Sequence, residues 1–349
     1  MKRVYDFLGP EGFGAYEIDW SGPTFKRVAT TARTLLIPGF VDIHIHGAFG
    51  IDFMSAKKKD LLVLCDRLSA EGYESFLPTT VTASPDDVLR ALAELPAHPM
   101  VAGFHLEGPF ISRDFPGAQP PASIANVPVK SSDWDPILND PRLRLVTVAP
   151  ELPHALELIS RLMKRGVVVS MGHTNATYEQ ARRGFEFGAN HTTHTFNAMR
   201  GLHHREAGIV GYALTNDSVF SELIYDRLHV SREAANLLLR AKGERQVVAV
   251  SDSTMATGLP PNQSLKMWGL DCVTGKKEIR LAGSGALAGS AITLLDAFRN
   301  LYEDFGPEIA IQACCINPRR SMGWSLQPNV YIELDKDLNL VGRKSAVPV

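Results

Sequence analysis

Eight short apolar runs, with helical periodicity between several of them, constrain this chain more than any other feature of its sequence. The runs are Phe40–His46, Ser75–Thr79, Met100–Glu107, Arg144–Ala149, Val167–His173, Asn190–His194, Val219–Asp226 and Gln246–Asp252. Helical patterns at Lys59–Glu71, Pro85–Leu95, His154–Lys164 and Tyr178–Phe187 separate several of them. Strands joined by crossover helices predict an α/β fold, a parallel (β/α)8 TIM-type barrel. The flanks lack that rhythm. Gly9-Pro10, Gly12, Gly14 and Gly22-Pro23 punctuate short β-like pieces, and Val330–Leu334 and Leu338–Val341 read as strands near the other end. The expected division is a small β domain of residues 1–37 with 325–349, beside a barrel of 38–324.

Charge excludes some function classes. The 349 residues include 36 basic and 38 acidic ones, a net charge of −2, so the chain has no global attraction for nucleic acid or an anionic membrane. The start, MKRVYDFLGPEG, lacks the apolar stretch of a secretory signal, and no run approaches the roughly 20 apolar residues of a membrane span. A cytoplasmic protein is expected. Cys65, Cys272, Cys314 and Cys315 have no disulfide or CxxC spacing and read as small core residues. Lys57, Lys58 and Lys59 precede an apolar helical stretch and read as a solvated first turn.

The chemistry concentrates where the strands end, on the face where barrel enzymes build their sites. His44 and His46 close the first strand; alternation puts both imidazoles on one face, with Ile43 and Ile45 on the other. Glu107 closes the third strand, His173 follows the fifth, His194 the sixth, and Asp252 ends the eighth. Taken singly, each has an ordinary structural explanation: a core histidine, a turn cap, a helix cap. In barrel order they converge as imidazole and carboxylate ligands for one or two divalent ions, zinc first, with iron, manganese or cobalt as alternatives. His105 and His191 are expected on the strand face opposite the ligands, His204 near the site as a supporting residue, and His229, beyond the seventh strand, in reach of substrate.

The motifs resemble those of the N-acetylglucosamine-6-phosphate deacetylases of the amidohydrolase superfamily. They are PGFVDIHIHG at 38–47, HLEGPF at 105–110, MGHTNAT at 171–177, HTTHTFNAM at 191–199, HHREAG at 203–208, the stretch from Asp226 to His229, VSDSTMATGLP at 250–260 and LAGS at 287–290. They occur in the family's order. The resemblance implies a small β-sandwich from both termini. It implies Glu107, His173 and His194 around a principal metal, with His44 and His46 serving a second. It further implies that Asn197 and Ala198 hold the sugar phosphate and that Arg205 binds its phosphate across a homodimer interface.

Two departures stand out. Gln119 occupies the place where the family usually has a histidine that polarises the substrate carbonyl; glutamine donates a neutral hydrogen bond but cannot become cationic. Ser251-Asp252-Ser253 stands where Thr-Asp-Ala is usual. The expected reaction is hydrolysis of the acetamide of an amino-sugar phosphate, with Asp252 as base and Gln119 as an oxyanion donor. Two alternatives are ring opening of a cyclic amide and a non-catalytic sugar-phosphate sensor. The first commonly uses a modified lysine after the fourth strand, where this chain has none.

Overall fold

The computed structural model describes residues 2–21 and 24–345; residue 1, the expected Gly22-Pro23 turn and residues 346–349 lie outside the described residues. Eight parallel strands form the central sheet: Phe40–Ile45, Tyr73–Thr80, Phe104–Glu107, Leu143–Val148, Val168–Met171, His191–Thr192, Phe220–Ile224 and Val247–Val250, neighbours in space as in sequence. The first and eighth meet through Asp252 N–H donating to His44 O at 2.9 Å and His46 N–H donating to Ser253 O at 2.8 Å, which closes the barrel. Helices cross over between strands, and local chemistry marks where they start. Ser84 accepts from Asp87 N ahead of Pro85–Ala93, while Thr177 with Gln180 and Thr293 with Asp296 form capping boxes. The lysines at 57–59 are exposed around the start of Lys58–Ala70, as expected of a solvated turn, and all four cysteines are buried.

Both chain ends enter one six-stranded sheet. Leu35–Pro38 lies between Lys2–Gly9 and Val330–Leu334, with Gly12–Asp19, Thr24–Arg27 and Leu340–Ser345 completing it. Its core is aromatic: Tyr5, Phe7 and Tyr16 pack with Ile18 and Leu36. A four-stranded antiparallel sheet not foreseen from the periodicity, Ser264–Met267, Leu270–Thr274, Glu278–Leu281 and Leu287–Ser290, is inserted between the eighth strand and the helix Leu294–Phe305. Its strands are short and half-exposed, so they carry little of the apolar alternation that marks a buried sheet.

The barrel interior is layered. Leu77, Leu145 and Val168 share an apolar cluster with Val41, Ile43, Val248 and Met322. Two residues further along the same strands the inward face carries Thr79, Thr147 and Ser170. Thr147 Oγ1 lies 2.8 Å from Thr193 Oγ1, and Ser170 Oγ 2.5 Å from it.

Three expectations about facing are corrected here. Ile43 joins the interior cluster, whereas Ile45 packs in the outer core. The reason is a register shift between Asp42 and Ile45, which resets the alternation so that His44 and His46 also turn inward. Asp42 bridges the irregularity, its Oδ1 accepting from His44 N at 3.2 Å and Ser251 N at 3.3 Å. His105 shares the inward face of Glu107, two residues away, as the pleat requires. Its Nε2 meets Thr147 Oγ1 at 2.8 Å and its ring lies 4.6 Å from that of His44. His191 packs on Phe220, centroids 5.3 Å apart, two residues before the inward Thr193.

Burial lowers the pKa of His191 from 6.5 to about 3. Between those values the unfolded chain binds a proton that the folded one refuses, so stability falls as pH falls through that window. His191→Phe should lose about 2 kcal/mol less than the parent between pH 7 and pH 5, read from urea unfolding at the two pH values. Equal losses in the two proteins would exclude His191 as a source of acid sensitivity.

Candidate metal centre

All six ligand candidates meet at the carboxyl-terminal mouth of the barrel. Two groups have ligand atoms within 4.8 Å of one another: His44, His46 and Asp252, and Glu107, His173 and His194, all buried. Glu107 joins them. Its Oε1 lies 3.3 Å from His44 Nε2, 3.1 Å from His173 Nε2 and 3.1 Å from His194 Nε2. Its Oε2 lies 3.2 Å from His46 Nε2, which is also 3.2 Å from Asp252 Oδ1.

The arrangement fits a cation. Four ligands at about 2.0 Å in a tetrahedron stand about 3.3 Å apart, the spacing seen here. His173 Nε2 and His194 Nε2 face each other at 3.1 Å. Because His173 Nδ1 reaches Phe115 O at 3.1 Å, the neutral ring donates there and leaves an Nε2 lone pair toward the centre. His46 Nδ1 likewise reaches Thr79 O at 3.1 Å, and His44 Nδ1 reaches Glu222 Oε2 at 3.1 Å. His44 Nε2 is buried and, although Glu107 Oε1 and Asp252 Oδ1 lie 3.3 and 3.5 Å away, makes no hydrogen bond among the described residues. Such imidazoles, fixed through one nitrogen, present the other to a metal.

Electrostatics agree. Burial alone would lower the pKa of His46, but Asp252 and Glu107 outweigh it and push it up to about 9. Burial likewise disfavours the charged form of His44, yet Glu107, Glu222 and Asp252 raise its pKa well above the ordinary value. Burial also opposes ionisation of Glu107, but His44 and His173 hold it well below the usual carboxylate range. The site therefore favours added positive charge.

The strand ends aim these side chains. His173, His194 and Asp252 follow their strands with left-handed φ of 47°, 29° and 48°. For residues with a Cβ, such conformations cost roughly 1–3 kcal/mol each and persist where the surroundings enforce them. Asp252 is held on both sides, its N–H donating to His44 O and its carbonyl accepting from Ser290 N at 2.7 Å. Gly289, also at positive φ of 67°, lets the inserted sheet approach this turn closely: a Cβ there would lie 2.6 Å from Thr254 Cγ2 and 3.0 Å from Asp252 O.

The pocket over the centre is lined by Gln119, Asn197, Ala198 and His229, with Ile224, Trp268 and Leu287. His229 is fixed by Asp226, whose Oδ2 lies 2.6 Å from its Nδ1. Asn197 lies beside the centre, its Nδ2 donating to His194 O at 3.2 Å. Gln119 is committed largely to the protein: its Oε1 accepts from Thr82 N at 2.7 Å and its Nε2 donates to Glu107 Oε2 at 2.5 Å. One amide hydrogen remains for another acceptor. Arg205 is exposed on the loop before Gly208–Thr215 and does not line the pocket; among the described residues its guanidinium makes no ion pair. Glu206 instead accepts from Tyr178 N and Gly208 N. His204, expected near the site, lies exposed on that loop with its ring 4.2 Å from that of His203.

Sequence reasoning missed Glu222 and Trp268. A glutamate inside the apolar strand Phe220–Ile224 was a usable signal, because a buried carboxylate needs a partner. Trp268 comes from the inserted sheet and had no local signal.

Residues 35–327 match the model of the Amidohydrolase family. An N-acetylglucosamine-6-phosphate deacetylase of Bacillus subtilis is 36% identical over 80% of this chain and 73% of its own length. An N-acetylgalactosamine-6-phosphate deacetylase of Escherichia coli O157:H7 is 35% identical over 85% of this chain and 81% of its own. The structure of an aspartate-to-alanine mutant of the N-acetyl-D-glucosamine-6-phosphate deacetylase of Mycobacterium smegmatis, in complex with N-acetyl-D-glucosamine-6-phosphate, superposes with a TM-score of 0.89 at 29% identity, covering 99% of this chain and 98% of that one. That of Thermotoga maritima gives 0.88 at 30% identity over the same shares. With the family model spanning most of its length and a deacetylase 36% identical over 80% of it, the chain belongs to the amidohydrolase family and, within it, to the N-acetylglucosamine-6-phosphate deacetylases.

Proposed function

We propose that this protein hydrolyses the acetamide of an N-acetylated amino-sugar 6-phosphate, N-acetylglucosamine 6-phosphate first, to acetate and the amino-sugar phosphate. The observation that carries the reading is the meeting of two ligand groups on Glu107, beside an ionised Asp252 in a pocket also lined by the polar Asn197 and His229. We place one or two divalent ions there, zinc first, held by His44, His46, Glu107, His173, His194 and Asp252. A bound ion of this kind lowers the pKa of water from about 15.7 toward about 7 and polarises a carbonyl oxygen.

The chain's own residues do the rest. Asp252 is buried, which would raise its pKa, but His46 and His44 hold it lowered, so it is a proton acceptor at neutral pH. Its Oδ2 takes a proton from the attacking water as the oxygen adds to the acetyl carbon. The same oxygen then returns that proton to the sugar nitrogen as the C–N bond breaks, leaving acetate and a free amine. Gln119 steadies Glu107 through one amide hydrogen and offers the other to the carbonyl oxygen. Asn197, Ala198 and His229 hold the sugar. Arg205, too exposed to serve its own pocket, fits a phosphate-binding role in a partner's pocket, and we infer a cytoplasmic homodimer.

The deciding assay is acetate release by metal-loaded protein from 6-phosphates of N-acetylated hexosamines, with cyclic imides in the same panel. Preference for N-acetylglucosamine 6-phosphate supports the reading; ring opening without acetate release overturns it. Asp252→Asn should fold, retain most of its metal and lose about 10²–10⁴-fold in kcat. Near-normal turnover would remove Asp252 from the base role. Glu222→Gln should weaken metal affinity about 10–100-fold through loss of the His44 contact, measured by competition with a chelator. Arg205→Ala should raise KM for the phosphorylated substrate with little change for the unphosphorylated sugar. Dimers mixed from Arg205→Ala and Asp252→Asn chains should regain close to a quarter of parent activity if Arg205 acts across the interface, and none of it at low KM if it acts within its own chain.

A further inference from the structure

One residue of the inserted sheet has a backbone that its side chain does not suit. Ser264–Met267 and Leu270–Thr274 pair antiparallel with Met267 opposite Leu270, which leaves Trp268 and Gly269 as a two-residue turn. Both have left-handed φ, 55° and 82°. That is the pattern of a type I′ hairpin turn, where Asn-Gly or Asp-Gly is the ordinary choice because a short polar side chain tolerates the conformation. The turn itself gives no reason for a tryptophan.

The indole supplies the reason. Its Nε1 donates to Oδ2 of Asp52 at 2.7 Å, and Asp52 is itself buried on the short hairpin that follows His46. The Trp268 ring lies 5.1 Å from the ring of His46, at an interplanar angle of 63°. Trp268 lines the pocket together with Leu287, which comes from the last strand of the same inserted sheet. An outlying backbone conformation kept by such contacts directs attention to function rather than to the turn.

The pocket lining is of two unlike kinds. Asn197 and His229 offer hydrogen bonds, whereas the inserted sheet contributes the apolar side chains of Trp268 and Leu287. The substrate class is asymmetric in the same sense. Ring hydroxyls and phosphate lie on the amine side of the bond to be cut, and an alkyl group lies on the acyl side. We propose that Trp268 determines acyl specificity: its ring, fixed by Asp52, closes the side of the pocket into which the acyl chain points and limits that chain to acetyl. Asp52 is the positioning residue. This inference rests on the deacylase reading given above.

The test uses metal-loaded enzyme and the N-acetyl, N-propionyl and N-butyryl derivatives of glucosamine 6-phosphate. Each added methylene is expected to lower kcat/KM of the parent about tenfold or more. Trp268→Asn suits the left-handed turn, so it should fold and keep its metal, while its butyryl-to-acetyl ratio of kcat/KM rises at least about tenfold. Trp268→Phe keeps an aromatic wall without the indole donor and should fall between the two. Metal content and unfolding temperature, measured on each variant, separate loss of the wall from loss of the site. A parent that favours acetyl while Trp268→Asn keeps the same ratio overturns the inference and leaves the deacylase reading intact, as does a parent indifferent to acyl length. A parent that releases no acid from any of the three overturns both.

Discussion

The carboxylate of Glu107 is the interaction on which the rest of this barrel mouth depends. It is 1% exposed, and a carboxylate so far from water is tenable only among donors or cations. Its two oxygens are divided among four imidazoles and the Gln119 amide, within 3.3 Å in every case. This division brings the two ligand groups to one place. It also sets their shared preference for positive charge, since the same imidazoles crowd one another unless a cation or protons lie between them.

Holding that cluster draws on the full depth of the barrel. Glu222, the Thr79 carbonyl and the Phe115 carbonyl each fix one imidazole through its Nδ1, so the choice of tautomer is made by groups that never face the pocket. Beneath them, His105 and the Thr147–Thr193–Ser170 hydroxyls form a polar layer, and burial together with the neighbouring His44 keeps His105 neutral. The left-handed backbones of His173, His194 and Asp252 are the conformational cost of turning ligands over the mouth. Neighbouring elements enforce them, as Ser290 and His44 do for Asp252.

The walls are built differently from the floor. The floor belongs to the strands and is hydrogen-bonded into them. One wall comes from the inserted sheet, whose Trp268 donates to Asp52 and lies beside the His46 ring and whose Ser290 donates to the carbonyl of Asp252. That division is common where loops decorate a barrel of fixed chemistry.

Much of this could be read in the amino-acid order. Barrel strands and crossover helices announce themselves through local periodicity, and ligand residues at strand ends follow because the repeat places those ends on one face. Family motifs at 38–47, 105–110, 171–177 and 191–199 pointed to the same residues. Facing was less secure. His105 was misjudged although the pleat places it with Glu107, and Ile43 was misjudged because a one-residue register shift leaves no mark in hydrophobicity.

What only the tertiary structure decided were contacts between distant parts of the chain. Examples are Glu222 against His44, Gln119 against Glu107, and Trp268 against Asp52 and His46. The physical reason is range. Periodicity and turn chemistry act over a few neighbouring residues and survive in one dimension, whereas a buried charge finds its partners only when the folded chain brings them within a few ångströms.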